Sequence, residues 1–275
     1  ALLPIHWGNK LNIPMAARWA TSESIHPNRG RNHCHMHSFS HKMREMRKTC
    51  IVLAVVGLAA CATPTPPTGL SREEILQREN QLSRSLMEKV ASHFKTVPDI
   101  ELSVFLRKVA ERVALASPAT REVPLGVFLI EDQDNRWVTF GVPGNRIYVS
   151  SQLVRALDHE NTLAAVFALE LAHLGHRHLA KRPEISTDLT LTLEELKAST
   201  RDATATLYHA GYDPRGMDQL LSVFQLHPQS GFSAGTIKAL RAESRSTLVS
   251  LPPLRNPTIR TADFLRFKKR LEERS

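Results

Sequence analysis

Residues 161–178 read NTLAAVFALELAHLGHRH, and the rest of the chain is organised around them. Within residues 162–174, Glu170 and His173 are the strongly polar side chains in a run otherwise made of Leu, Ala, Val and Phe. A helix that is apolar on every side is buried, so this stretch predicts a central buried helix. A carboxylate inside such a helix is costly unless another group stabilises it. Glu170 therefore needs either a structural partner or a chemical role.

Residues 169–173 of this helix read LELAH, which differs in one position from H-E-x-x-H. In that motif two histidines one helical turn apart bind zinc, and the glutamate acts as a general base. Leu169 stands at the position of the first histidine, while Glu170 and His173 keep theirs. We therefore interpret Glu170 as the remnant of a general base and His173 as the remnant of a metal ligand.

Three stretches in fixed order extend the comparison beyond these five residues. They are residues 143–149 (PGNRIYV), residues 158–182 around the motif, and residues 210–214 (AGYDP). This combination resembles the gluzincin family of HtpX, the CAAX prenyl protease and their bacterial lipoprotein relatives. The resemblance implies an α+β fold, a mostly helical zincin-like (gluzincin) domain with a small β-sheet beside the motif helix. It also implies descent from a zinc metalloendopeptidase.

The sequence departs from the family at the positions that carry the chemistry. Leu169 replaces the first zinc-binding histidine, and residues 198–201 (ASTR) stand where the family has E-A-D-R, so Ala198 replaces the glutamate ligand. Thr200 replaces the aspartate of that motif, and Asn256 replaces the histidine of a His-Pro pair before the last helix. The sequence therefore predicts an inactive pseudoprotease for which no zinc or other cofactor is expected.

An active metalloendopeptidase with replacement ligands is the alternative. The candidate ligands lie near the lost positions: His173 with His176 on the central helix, and Glu194 with Glu195 one turn before Ala198. Moving a ligand by one turn shifts it by about 5 Å, which is more than a zinc bond tolerates. His176 and His178 are also compatible with a hydrated helix end, where histidine suits the negative end of the helix dipole.

Residues 46–61 have the features of a lipoprotein signal peptide. A basic stretch, residues 46–48, precedes the apolar residues 50–60, which are too short to span a bilayer. Residues 58–61 (LAAC) resemble the lipobox of bacterial lipoproteins, in which the signal is cut before a cysteine that becomes lipidated. We therefore expect lipid on Cys61, and residues 1–45 to be a disordered upstream extension that the mature protein lacks.

The mature chain would begin with a Pro/Thr linker, residues 62–70, followed by the gluzincin-like domain, residues 71–275. Ala62 directly follows Cys61. In bacterial lipoproteins, an aspartate at that position commonly signals retention in the inner membrane. The resemblance thus implies an anchor in the outer membrane, facing the periplasm. The expected partners are the membrane, through the lipid on Cys61, and a protein or peptide. The tract HCHMH, residues 33–37, is alternatively a metal-binding tail.

Charge and cysteine content exclude other classes of protein. The whole chain carries a formal net charge of +9, but residues 1–60 hold 8 Lys and Arg against 2 Asp and Glu, which leaves 28 against 25. A net of +3 does not indicate a nucleic-acid partner. Cys34, Cys50 and Cys61 all lie at or before the expected cleavage point, so no disulfide is expected in the domain.

Periodicity predicts the remaining elements. Helices are predicted at residues 71–92, 100–115, 191–209, 215–226 and 261–274, strands at 123–131, 136–140 and 146–150, and a loop with a short helix at 230–250. In the resembled family the strand before the Pro-Gly turn pairs with extended substrate, and Val138 replaces the asparagine of that strand. The alternative is a hairpin covered by its neighbours.

Three hypotheses about function remain open at this point. The first is a lipid-anchored, zinc-free domain that acts as a binding or regulatory module in envelope protein quality control. The second is the metallopeptidase with replacement ligands, for which zinc would be the cofactor. The third is a structural lipoprotein whose fold descends from a protease. Metal content separates the second hypothesis from the others, and capture of a specific partner separates the first from the third.

Overall fold

The computed structural model describes residues 2–3, 70–117, 124–132, 136–178, 180–181, 191–227 and 232–274. They all belong to one of two contact units in the chain, the one made of Ala1–Ala16 and Leu70–Ser275. The predicted signal peptide and lipobox, Cys61, the linker residues 62–69 and the tract 33–37 lie outside the described residues.

The described part of the chain contains eight helices and six strands. The helices are α1 (Arg72–His93), α2 (Ile100–Ala116), α3 (Ser151–Ala156), α4 (Glu160–His176), α5 (Leu193–His209), α6 (Gly216–Leu226), α7 (Ala234–Ser250) and α8 (Ala262–Glu272). The strands are β1 (Leu2–Leu3), β2 (Phe94–Thr96), β3 (Gly126–Asp132), β4 (Thr139–Val142), β5 (Arg146–Ser150) and β6 (Leu191–Thr192). None of these helices combines the length and the hydrophobicity needed to cross a membrane.

Four strands form a mixed sheet in the order β2-β3-β5-β4. β3 and β5 are parallel, whereas β2 and β4 run antiparallel to their neighbours and form the two edges. On one face Phe128, Tyr148 and Phe140 stack across adjacent strands, with ring centroids 4.9 and 5.1 Å apart. The apolar stripe of α1 packs on this face through Leu82, Leu86 and Val90. The short strands β1 and β6 pair separately, in antiparallel orientation.

Helix α4 is the centre of the fold. Every residue from Glu160 to Ala172 is buried, as the continuous apolar run predicts. α4 packs against α2, α5 and α6, and its C-terminal half lies against β4. The prediction of a mostly helical α+β domain with a small sheet beside the motif helix is confirmed.

The structure differs from the sequence prediction at several segments, among them β2, the strand predicted at 136–140, which is found at Thr139–Val142, and the segment 230–250. β2 was not predicted, because three residues after a helix are too few to show alternation. The segment 230–250 was predicted as a loop with a short helix, but α7 extends through Ala234–Ser250. Its buried stripe includes Thr236, Ser244 and Thr247. Because these buried positions are polar, the segment lacks the hydrophobic periodicity by which helices are recognised in a sequence.

Candidate functional site

The motif residues lie where the last buried turns of α4 meet the edge strand β4. A glycine in β4 permits this close approach, because a Cβ atom on Gly141 would lie 2.8 Å from Cγ of Leu174 on α4. Leu169, at the position where the resemblance places a histidine, is 7% exposed and joins the main hydrophobic core. The site is therefore a tightly packed helix–strand contact.

Glu170 is buried, with 3% of its surface exposed. Burial raises the pKa of its carboxyl to about 7, and the Thr139 hydroxyl and the Gly141 amide partly oppose that rise. The contact with Thr139 is not a well-formed hydrogen bond, since Oγ1 of Thr139 has no partner of good geometry among the described residues. No ion pair to Glu170 occurs in the described part of the chain. The two groups that lower the pKa of the Glu170 carboxyl both belong to β4.

The amide that faces Glu170 points away from the sheet. Ser150 N donates to Val138 O at 2.8 Å, and Phe140 lies opposite Tyr148 in the antiparallel pair β4–β5. Because backbone groups alternate along an antiparallel strand, Gly141 directs its N–H toward the free edge. The Gly141 amide that lowers the pKa of the Glu170 carboxyl is thus one of the donors that an added peptide strand would use.

Replacing Glu170 by glutamine should make stability less dependent on pH. An acid whose pKa rises from 4.5 to about 7 on folding binds its proton more tightly in the folded state. The wild-type protein therefore loses stability as the pH rises from about 4.5 to about 7, and little beyond that. We expect Glu170→Gln to match the wild type near pH 4 and to exceed it by about 3 kcal/mol near pH 8.

Urea unfolding at both pH values measures this difference. Glu194→Gln is the matched control, because the Glu194 side chain is 81% exposed and is paired with Lys197 on the surface. Its stability should follow the wild type at both pH values. A Glu170→Gln variant that is less stable than the wild type near pH 8 would instead indicate a salt-bridged carboxylate.

His173 keeps an uncharged ring in the described structure. Burial, together with the nearby His178 and His176, lowers the pKa of His173 to about 3. Its Nδ1 atom is buried and has no hydrogen-bond partner among the described residues. The ring centroid of His178 lies 6.2 Å away.

The two following histidines contact helix α5. The rings of His176 and His178 stack with their centroids 4.9 Å apart. His178 Nδ1 lies 3.4 Å from Glu195 Oε1, and its Nε2 lies 3.4 Å from Ser199 Oγ. His176 Nε2 lies 3.0 Å from Asp202 Oδ2, although it makes no hydrogen bond of good geometry. The His178 side chain is 13% exposed, so it packs against α5 and does not form the hydrated helix end of the alternative interpretation.

Helix α5 presents one face to this cluster. Glu195, Ser199 and Asp202 are spaced i, i+4 and i+7 and therefore share that face. Ala198 lies one turn after Glu195 and one turn before Asp202, on the same side. Glu195 also accepts the Thr192 backbone N–H at 2.7 Å in a capping box. Glu194 is bound to Lys197 at the surface, 2.9 Å away, so of the two predicted replacement carboxylates Glu195 alone reaches the histidines.

The residues present do not fit the zinc site of the resembled family. Leu169 and Ala198 place apolar side chains at two ligand positions, and His173 remains as the third. Within the described ranges, no three His, Cys, Asp or Glu side chains are arranged to hold a metal ion. Sequence reasoning missed Ser199 and Asp202, although their helical spacing from Glu195 is a signal that could have found them. It also missed the contact between Gly141 and Glu170, which depends on the tertiary packing of β4.

Comparison with known families identifies one match. The model of Peptidase family M48 matches residues 104–242. This range covers half of the chain and includes the sheet strands β3, β4 and β5, the central helix α4 and helix α5. No curated protein matches the chain.

Proposed function

Because the chain belongs to peptidase family M48, we propose that its domain is a metallopeptidase-like module that has lost zinc and proteolysis. In this proposal it binds a protein or peptide partner and serves envelope protein quality control. The observation that carries the proposal is the pair of apolar side chains at positions 169 and 198, together with a buried Glu170 held against β4.

The chemistry of Glu170 supports inactivity. A positioned general base alone accelerates a reaction by about 10² to 10⁴, whereas bound zinc lowers the pKa of water from 15.7 to about 7. Glu170 is buried, and its pKa of about 7 leaves much of it protonated near neutral pH. One carboxyl in this state does not replace a metal centre.

Strand β4 supports the binding role. It is an edge of the four-stranded sheet, and an edge strand can pair with an extended peptide through its backbone. Thr139 and Gly141 direct their backbone groups to this edge. A partner that adds to β4 would displace the Glu170 carboxyl from the Gly141 amide, so the remnant catalytic residue would regulate access to the edge.

Zinc content and peptidase activity test the proposal. We expect the purified protein to contain no stoichiometric zinc by elemental analysis, and to cleave no unfolded protein substrate in a chelator-sensitive way. His173→Ala is the matched variant, and its zinc content and peptidase activity should equal those of the wild type. Near-equimolar zinc in the wild type that is lost in His173→Ala would overturn the proposal.

The replacement-ligand enzyme is the second candidate. The observation in its favour is that His176 and His178 lie 3.0 and 3.4 Å from Asp202 and Glu195, although no three of these side chains are arranged to hold a metal ion in the described structure. If this candidate is right, the wild type contains zinc, and the zinc content is lower in the Asp202→Asn variant as well as in the His173→Ala variant. The purely structural lipoprotein would show neither zinc nor a specific partner. The structural lipoprotein is distinguished from the binding module by crosslinking in living cells. A photoreactive residue at position 139 of β4 should crosslink to a specific partner only if the domain is a binding module.

We also propose that the protein is held in the outer membrane by lipid on Cys61. The support is the basic and apolar sequence that ends in LAAC, residues 58–61. Mass spectrometry of membrane fractions should show a mature chain that begins at an acylated Cys61, since several acyl chains anchor a protein firmly. Cys61→Ser should abolish acylation, whereas Cys34→Ser should not. An unmodified Cys61 or a retained residue 1–45 segment would contradict this proposal.

A further inference from the structure

Arg177 ends helix α4 beside the last residues of strand β4. It is the C-cap of the helix and has a φ of 54°, in the left-handed region. Leu174, three residues earlier, packs against Gly141 of β4. Arg177 follows Glu170 by seven residues, so it lies on the same side of the helix, about 10 Å further along the axis. The side of α4 that meets β4 therefore ends in an arginine.

An ion pair joins Arg177 to helix α1 at the same corner of the domain. α1 and α4 pack on opposite faces of the sheet. Nε of Arg177 lies 3.4 Å from Oε1 of Glu79 on α1. Ser83, one turn after Glu79, has its Oγ 3.9 Å from the position that a Cβ on Gly144 would take. The ion pair therefore connects the two helices at the β4–β5 turn, past which a strand added to β4 would continue.

Arg177 retains most of its capacity to bind a carboxylate. Its side chain is 38% exposed, and the contact with Glu79 is its one ion pair within the described ranges. A guanidinium has five N–H donors and can bind a carboxylate with two of them at once. Burial raises the pKa of Glu79, and Arg177 opposes that rise only in part. Glu79 thus shows that a carboxylate fits against Arg177, in a place that stabilises the charge of Glu79 poorly.

The other charges at this corner are mostly positive. Arg146 begins β5, its Nη1 reaches the β4–β5 turn, and it makes no ion pair in the part of the chain that the structure describes. Lys181 is exposed and follows the end of α4. The acids in the first turn of α1 precede Glu79 by more than one turn, and Asp202 is paired with His176 on the side of α5. The balance around Glu79 therefore favours a further anion.

We propose that Arg177 recognises an acidic side chain of the peptide that adds to β4, and that Glu79 occupies Arg177 in the absence of the peptide. This inference rests on the proposed peptide binding at β4 and adds the chemical class of the partner, an extended acidic peptide. The distance of about 10 Å between Glu170 and Arg177 equals about three residues of an extended chain. The acid is therefore expected about three residues from the peptide residue that pairs with Gly141.

Fluorescence anisotropy of a labelled peptide on the intact chain tests this inference. The probe is the fluorescein-labelled octapeptide Thr-Val-Thr-Val-Thr-Val-Glu-Thr, and its twin has glutamine in place of glutamate. Both have an amidated C-terminus, so that the glutamate supplies the one carboxylate of the peptide chain. We expect the wild type to bind the glutamate peptide about fivefold more tightly than the glutamine peptide at low salt. This preference should shrink at high salt, because a partly exposed ion pair is screened.

Substitutions on both sides of the ion pair identify the group that reads the acid. Arg177→Asn should abolish the preference, and asparagine tolerates the left-handed backbone at this position. Glu79→Gln should strengthen binding of the glutamate peptide severalfold, because Arg177 loses its internal partner. Arg201→Gln is the matched control and should keep the wild-type preference, since Arg201 pairs with Glu243 at 3.5 Å between α5 and α7.

The outcomes separate this inference from the function on which it rests. Equal binding of the two peptides by the wild type would overturn recognition of an acid and leave peptide addition at β4 intact. A preference that persists in Arg177→Asn would also overturn it, and so would a Glu79→Gln variant that binds the glutamate peptide no better than the wild type. Binding of neither peptide by any variant would contradict peptide addition at β4, and this inference with it.

Discussion

The double variant Leu169→His with Ala198→Glu is expected to bind near-equimolar zinc, whereas each single variant stays near background. Three protein ligands and an open position define a catalytic zinc site. His173 is already in place, one turn after position 169, and its pKa of about 3 keeps the ring neutral and able to bind a metal. Position 198 lies on the face of α5 that already contacts the end of α4 through Glu195 and Ser199.

Elemental analysis after dialysis measures the bound zinc. His173→Ala added to the double variant is the control, and it should remove the metal because it returns the site to two ligands. Turnover is expected to be poor even with zinc, since Thr200 and Asn256 still replace family residues. A double variant that folds but binds no zinc would show that the backbones of α4 and α5 no longer have the zinc-binding geometry.

Gly216→Ala is expected to destabilise the domain by about 3 kcal/mol or more. A Cβ at this position would lie 2.4 Å from the Asn161 carbonyl oxygen and 2.8 Å from its carbon. Both atoms belong to the backbone of the first turn of α4, and Asn161 is completely buried. The contact therefore cannot relax by a side-chain rotation, and α6 would have to move away from α4.

Urea unfolding of the intact chain measures the loss, with Gly235→Ala as the matched control. The nearest atom to a Cβ on Gly235 is Ser233 Oγ at 3.7 Å, which is ordinary contact. Gly235 lies in the first turn of α7, where alanine should raise stability by about 0.5 kcal/mol. If Gly216→Ala were as stable as the wild type, the close packing of α4 and α6 described here would be wrong.

The fold could be predicted from the sequence where apolar composition alone decides burial. The run around Leu169 is apolar on all sides, and the structure buries it completely up to Ala172. The same reasoning could not find α7, because Ser244 and Thr247 occupy part of its buried stripe. Polar side chains in a buried stripe are stabilised by neighbours that only the tertiary structure supplies, such as the hydroxyl of Thr204 3.2 Å from Ser244 Oγ.

Some features of the candidate site could likewise be predicted from the sequence, and others could not. Leu169 and Ala198, which stand where the resemblance places two zinc ligands, could be found from spacing within the chain. The contacts of His178 with Glu195 and Ser199 could not, because they join two parts of the chain whose relative position the spacing of motifs does not determine. Spacing thus indicates which positions to compare with the family, and tertiary packing determines what the side chains at those positions touch.

The position of Glu170 beside the Gly141 amide has a consequence for solubility. An edge strand with open donors is a template for pairing with another copy of the same chain, and such pairing leads to aggregation. β4 is an edge strand, and its outward Gly141 N–H stabilises the charge of the Glu170 carboxyl, whose pKa it lowers. Catalysis is therefore not the only role that can explain why the sequence has an acid at position 170. In the proposed zinc-free module, this carboxyl would still keep the strands of one copy from joining those of another.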